Sequence, residues 1–369
     1  MEDASVEANA EHVAPVWEPS ETEKWGMNES LDNDGKQCVR SLQEAFQWML
    51  HFERGVARTW GEKALRDLRV RLFQNLGSQS YATMFSGIDA PSTALETINK
   101  VVADALGMPP RKMQHVMAIE WDEECQQELL CHPCAPACMF GDISDSYLPC
   151  FKRVIDRAKK NGQSVHFDDL LPIVMSGNAL SSTMPCKIHG KHCRIPTFSH
   201  CFMGSPCTDW SVIGRGDGLN GDTMEHCMAM CAMLRMIQPS TFSHENVVGF
   251  DGDVLQSTLG DLYQIIDMPS NSCDLGWPAN RKRTIRVGIH KMKVARQIHE
   301  FSKIHDIMNR NCLISWQNFL FADPQSAVGR EELEWARKRA GSENDIFSAG
   351  ARILMDLHKD PYGGGGVGG

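Results

Sequence analysis

The sequence predicts an α/β protein with a mostly parallel sheet and helices on both faces. Two observations carry this. From about Tyr81 to Ile289, short apolar runs alternate with helical stretches, the pattern of a sheet covered on both sides. The polar signals then fall just after the apolar runs, where open α/β sheets bind ligands. The expected strands are Ala82–Phe85, His115–Ile119, Cys138–Phe140, Phe198–Met203, Thr241–His244 and Thr284–Ile289. Helices are expected between them, among them Thr93–Leu106 and Met224–Ile237, and Thr93 with Glu96 reads as a capping box.

Ahead of the sheet, Leu65, Leu68, Leu72 and Leu76 recur at helical spacing, which reads as core packing within a helical segment from Leu42 to about Leu76. The first thirty residues are acidic and poor in large apolar groups, a tail rather than a core. The expected organisation is a disordered acidic tail over 1–40, a helical segment over 41–78 and a catalytic domain over 79–293 with an insertion at about 145–196. A reduced, mostly helical region over 294–360 and a flexible Gly-rich end over 361–369 complete it.

Bulk properties narrow the function. The chain has 369 residues, enough for one large core or two smaller ones. Its net charge of −10 excludes a wholly basic nucleic-acid binder but leaves room for a local basic groove. No apolar run reaches the roughly 18 residues of a membrane span. The N-terminus lacks the apolar region of a secretory signal, so the expected location is intracellular, and the nucleus if the source is eukaryotic. With no export signal, the 14 Cys read as free thiols, a catalytic thiolate or metal ligands rather than disulfides.

By chemistry alone, the strand ends form two groups. Phe85-Ser86-Gly87 is a turn where the missing Cβ of Gly87 lets a ligand approach the backbone. Glu120 stands where such sheets place an acid on ribose hydroxyls, and Asp142 can accept from an adenine amine, so together they read as a nucleoside site. In the second group, Cys207 follows a Pro at a strand end. Glu245 comes thirty-eight residues later, and Arg283 thirty-eight after that. A thiol, a carboxyl and a guanidinium at one sheet edge suit a nucleophile, a proton donor and a charge clamp. Cys207 alone would read as a buried thiol.

Here the sequence resembles the C5 cytosine-specific DNA methyltransferases, from roughly Tyr81 to Lys291. Phe85-Ser86-Gly87-Ile88 is similar to the family's cofactor loop, Glu120-Trp121-Asp122 to its ribose motif and Gly141-Asp142-Ile143 to its adenine motif. Pro206-Cys207, with Ser211, Gly214 and Gly218, resembles the nucleophile motif, and Glu245-Asn246-Val247 the motif that binds the target cytosine. Asp274-Leu275-Gly276-Trp277-Pro278 through Arg281 and Arg283 resembles the segment ending in Gln-x-Arg-x-Arg. The resemblance implies a Rossmann-like class I methyltransferase sheet and methyl transfer from S-adenosylmethionine to C5 of cytosine in DNA through a covalent Cys207 adduct. It implies catalytic roles for Cys207, Glu245, Arg281 and Arg283. It places the cofactor on Phe85, Ser86, Gly87, Ile88, Glu120, Trp121, Asp142, Ile143 and Pro206, and the target base on Ser211, Asn246 and Val247. Transfer RNA as substrate, or a non-catalytic relative, are the alternatives.

Three features depart from the family pattern. Asp89 replaces a second Gly, and an acid there is expected to crowd or repel the cofactor's carboxylate. Ala279 replaces the Gln. After Ile289 the sequence shows neither a family-sized recognition region nor the family's closing Gly-Asn motif, and Arg330–Ala340 reads as a charged helix. A partner chain supplying sequence recognition is therefore an expectation. The run Arg281–Arg296 holds seven Lys or Arg and no acid, and reads equally as a phosphate-facing edge or a solvated face.

The interval before Cys207 carries Cys186, His189, His192 and Cys193, residue types that hold structural zinc. Adjacent His192 and Cys193 do not easily point at one ion. Cys131, Cys134 and Cys138 lie upstream, and a mixed site joining both groups stays open.

Overall fold

The computed structural model describes residues 38–39, 44–45, 47–211, 214–277, 279–294 and 301–313. The acidic tail, the charged helix over Arg330–Ala340 and the Gly-rich end lie outside the described residues, as do most of the region expected over 294–360 and Pro278.

In chain order the elements are β1 (Cys38–Val39), α1 (Trp48–Trp60), α2 (Glu62–Ser78), β2 (Ser80–Met84), α3 (Ala90–Leu106), β3 (Gln114–Ile119), α4 (Glu123–Cys131) and β4 (Cys138–Phe140). Then come α5 (Pro149–Lys160), α6 (Phe167–Met175), β5 (Thr183–Cys186), β6 (Lys191–Arg194), β7 (His200–Met203), α7 (Met224–Ile237) and β8 (Thr241–Val247). The last are α8 (Asp253–Leu259), β9 (Tyr263–Asn271), β10 (Lys282–His290), α9 (Phe301–Met308) and β11 (Asn311–Cys312). The helical stretch before the sheet is two helices, because Gly61 takes φ +86° between them, a backbone conformation that favours glycine. Helix α3 starts one turn earlier than the capping box implies. Asp89 is its cap, accepting from the Ser92 amide at 3.4 Å, with Pro91 in the first turn.

Nine strands form one sheet in the order β6-β5-β4-β3-β2-β7-β8-β10-β9. Strands β4, β3, β2, β7 and β8 are mutually parallel. The chain winds outward from β2 in one direction, then returns to continue from β7 in the other. This is the doubly wound, Rossmann-like α/β sheet the sequence predicts, and its crevice opens at the carboxyl ends near β2 and β7. Strand β10 inserts antiparallel between β8 and β9, pairing Arg283 with Val247 and Ile289 with Thr241. The start of β10, not its end, therefore lies at the carboxyl edge. On the opposite flank, the β5–β6 hairpin joins β4 through the single pair Phe140 with Cys186.

The core lies between sheet and helices, around Met84, Met117, Ile119, Phe140, Met184 and Phe242. Helix α7 is apolar on nearly every side and is buried almost throughout from Met224 to Leu234. A two-stranded parallel pair, β1 with β11, sits apart from the main sheet. There the buried Arg310 guanidinium donates to the carbonyls of Glu44 at 3.0 Å and Leu275 at 3.1 Å. Among the described residues, no helix is long and apolar enough to cross a membrane.

Candidate active site and metal centre

The nucleoside half is built from the ends of β2, β3 and β4. Phe85 turns the chain with φ +56°, a left-handed conformation that costs a non-glycine residue about 1–3 kcal/mol. A Cβ on Gly87 would meet nothing within 4 Å, so one side of this loop is open. The Gly87 amide donates to Glu120 Oε2 at 2.6 Å and the Asp122 amide to Glu120 Oε1 at 2.9 Å. Glu120 thus ties the β2 and β3 loops together, and each oxygen keeps a second lone pair for a ligand. Trp121 beside it is 72% exposed, and Ile88 is exposed as well. Asp142 caps a short turn, accepting from the Ser144 amide at 2.8 Å. Ser86 donates back to Thr83 at 2.8 Å, and Ile143 is buried in the core beneath the edge. Two strand-end carboxylates that accept, an exposed indole and a glycine loop with an open face fit the hydroxyls, amine and ring of an adenine nucleoside.

Asp89 does not face this edge. Its backbone, at φ +60°, takes the left-handed conformation a glycine would supply, and its carboxylate is fully buried 3.5 Å from His115 Nδ1. Burial pushes the Asp89 carboxyl above its ordinary range, His115 opposing it. The expected crowding of the cofactor by Asp89 is therefore not what the structure shows.

The second half centres on the loop after β7. Met203 pairs with His244, so the Ser205-Pro206-Cys207 loop leaves the sheet beside Glu245. Strand β8 alternates there. His244 and Asn246 are buried on one face, while Glu245 points to the other. Ser205 Oγ lies 2.8 Å from His244 Nε2, and Asn246 Nδ2 donates to the Ser205 carbonyl at 3.1 Å. These contacts pin the base of the Cys207 loop. Asn246, expected to meet the target base, instead has its amide engaged inside the protein, and Val247 donates its own amide to Asn246 Oδ1 at 2.8 Å.

Downstream, the amides of Trp210 and Ser211 donate to the Cys207 carbonyl at 3.0 and 2.9 Å, closing a turn after Cys207. Ser211 Oγ accepts from the Gly214 amide at 2.9 Å. A Cβ on Gly214 would lie 1.8 Å from the Thr208 carbonyl oxygen, so only glycine fits. Buried Asp209 accepts from the Thr223 amide at 2.7 Å, and Trp210 packs on Phe250 with ring centroids 5.0 Å apart. The loop is thereby fastened on both sides of Cys207.

Glu245 receives its partners from β10. Ile285 pairs with Glu245, so Arg283, two residues earlier, lies diagonally on the same face. Arg283 Nε is 2.8 Å from Glu245 Oε1, and Arg281 lies 3.7 Å from the same oxygen. Glu245 Oε2 lies instead on the Gly204 side, 3.7 Å from where a Cβ would stand there. Ser205 and His244 were missed by sequence reasoning, although the period-two alternation around Glu245 marks His244 and Asn246 as a facing pair.

A separate group gathers at the β5–β6 hairpin. Cys138, Cys186, His189 and Cys193 bring their ligand atoms within 4.8 Å of one another. His192, expected among them, is exposed and does not join. Successive side chains on β6 point to opposite faces, so Cys193 turns inward and His192 outward. Cys138, from the end of the upstream run, takes its place, while Cys131 is exposed and Cys134 gathers instead with Glu96 and His132.

Comparison with known proteins supplies one family match. Residues 186–325 match the family model described as C-5 cytosine-specific DNA methylase. No curated protein matches. Among solved structures, a DNA modification methyltransferase encoded within an E. coli prophage aligns at 17% identity over 60% of this chain and 49% of its own, with a TM-score of 0.34. The S. pombe Dnmt2 methyltransferase aligns at 12% identity over 60% and 52%, with a TM-score of 0.33. The chain thus spans about half the length of each.

Proposed function

Because residues 186–325 belong to the C-5 cytosine-specific DNA methylases, we propose that this chain methylates C5 of cytosine in DNA through a covalent Cys207 adduct. The observation that carries this reading is the Arg283–Glu245 pair, 2.8 Å apart, beside the pinned Cys207 loop. C5 of cytosine is a weak nucleophile, and a covalent adduct divides one hard step into easier ones. Addition of the Cys207 sulfur to C6 moves electron density to C5 while Glu245 supports N3 by hydrogen bonding or protonation. Arg283 engages Oε1 and leaves Oε2 for the base. Once C5 carries its methyl, loss of the C5 proton lets Cys207 leave. S-adenosylmethionine, when bound, supplies the electrophilic methyl group, and Phe85, Gly87, Glu120, Trp121 and Asp142 are the residues that would hold it. In a duplex the base must first leave the stack, at a cost of a few kcal/mol.

The test is trapping on oligonucleotides carrying 5-fluorocytosine, whose C5 substituent cannot leave as a proton. A stable adduct on duplex DNA that maps to Cys207 is the expected result. An adduct on transfer RNA alone would move the substrate to RNA. No adduct on either, with no S-adenosylmethionine binding by calorimetry at millimolar concentration, would make the chain a non-catalytic relative.

A further inference from the structure

The Cys and His group at the hairpin lies outside everything the methyl-transfer reading uses. We propose that Cys138, Cys186, His189 and Cys193 bind one zinc ion that clasps the β5–β6 hairpin to β4.

The distances support a metal better than hydrogen bonds. His189 Nδ1 lies 3.8, 3.2 and 3.4 Å from the sulfurs of Cys138, Cys186 and Cys193. One ring nitrogen carries at most one hydrogen, so it cannot donate to three sulfurs. Tetrahedral zinc, with bonds of about 2.3 Å to sulfur and about 2.0 Å to nitrogen, separates its sulfur and nitrogen ligands by about 3.5 Å. The three separations bracket that value.

The turn after β5 holds the Cys186 sulfur and the His189 ring together. Gly190, at φ +61°, closes the turn, with its amide on the Cys186 carbonyl at 2.9 Å. Four ligands with three sulfurs leave no open position, which makes the site structural rather than catalytic, and soft sulfur selects zinc over magnesium or calcium. Binding releases the thiol protons to solvent.

Among the described residues, the hairpin's backbone pairing to the rest of the sheet is slight. Its strands are four residues each, and β6 is mostly exposed. The ladder to β4 is the single pair Phe140 with Cys186, supplemented by the Lys187 amide on the Met139 carbonyl at 2.8 Å. A two-stranded hairpin of this length is marginal alone. Ligands from β4, from β5, from the turn and from β6 close it into one unit.

The test uses the full chain, purified under reducing conditions. Elemental analysis should find about one zinc per chain, and chelation should lower the thermal midpoint. Cobalt added to the stripped wild-type chain should give intense tetrahedral d–d bands with sulfur-to-cobalt charge transfer. Cys138→Ser should lose the metal and His192→Ala should keep it. Absence of zinc together with absence of a tetrahedral cobalt spectrum would overturn the proposal. So would metal lost in His192→Ala, or a mass two hydrogens short that shows a disulfide instead. The wild-type cobalt spectrum decides the matter even where Cys138→Ser fails to fold.

Discussion

In the proposed mechanism Cys207 and Glu245 divide the chemistry, and their substitutions should fail differently. Cys207→Ser should abolish methyl transfer and the 5-fluorocytosine adduct while leaving the circular dichroism spectrum unchanged, since the loop is held by backbone and neighbouring contacts rather than by the thiol. Glu245→Gln keeps the shape but loses a carboxyl, and turnover should fall roughly 10²–10⁴-fold, the range of a positioned acid or base. Single-turnover assays beside an unchanged melting curve check both. Cys207 and Glu245 stand out in the sequence as candidates because each sits in a short pattern after an apolar run, and Arg283 because it opens one. Ser205 does not, since a serine in a loop carries no signal until its partners His244 and Asn246 are known to face it. Cys138 was legible only as a candidate. The rule that adjacent strand residues diverge sets His192 against Cys193 but does not say which distant thiol completes the set.

Strand β8 carries both the acid and the pins behind it, so its chemistry and its stability are linked. Burial, with a contribution from Arg286, pushes His244 down to about 3, and burial pushes His200 down to about 4. Both are neutral in the fold and take up a proton on unfolding at an ordinary value near 6.5. Their stabilisation is therefore complete above that value and is lost as pH falls from it toward the folded values, by up to about 1.4 kcal/mol per pH unit for each group. Thermal melts from neutral to about pH 4 should show this slope, and His244→Gln should flatten it. Most parallel strands and the span of α7 were legible from apolar runs and helical period. Strand β9 was not, because Asp267 and Pro269 interrupt its pattern, which an edge strand tolerates. Helix α6 was hidden for a similar reason: it is nine residues long with Pro172 inside.

At the scale of the molecule, an acidic body carries a basic run over β10 and the turn after it. Phosphate contacts from Arg281 and Lys282, at the start of β10, would neutralise only a few charges, so DNA binding should be weak at physiological salt and should fall with added salt. Titrations of fluorescent duplexes of differing sequence check this, and a tight, salt-insensitive complex would contradict it. Arg310 is the other long-range device. Arg310→Ala should loosen the loop between β9 and β10 from the segment at Glu44 and Ala45, lowering turnover while S-adenosylmethionine binding at the proposed site on β2, β3 and β4 stays within about 2-fold.

The antiparallel course of β10 gives the molecule a blind end and a mouth. The chain leaves β10 at His290, at the edge remote from Glu245, and the turn that follows presents Met292 at 88% exposure. Within twenty residues it is back, with the Arg310 amide on the Asp274 carbonyl at 2.8 Å, next to the segment that delivers Arg281. A peptide or reporter grafted at Met292 would hang from the blind end and leave nucleic acid free to enter. The same cargo spliced after Leu313 would start at the mouth, and so would one placed before Cys38, which pairs with Asn311.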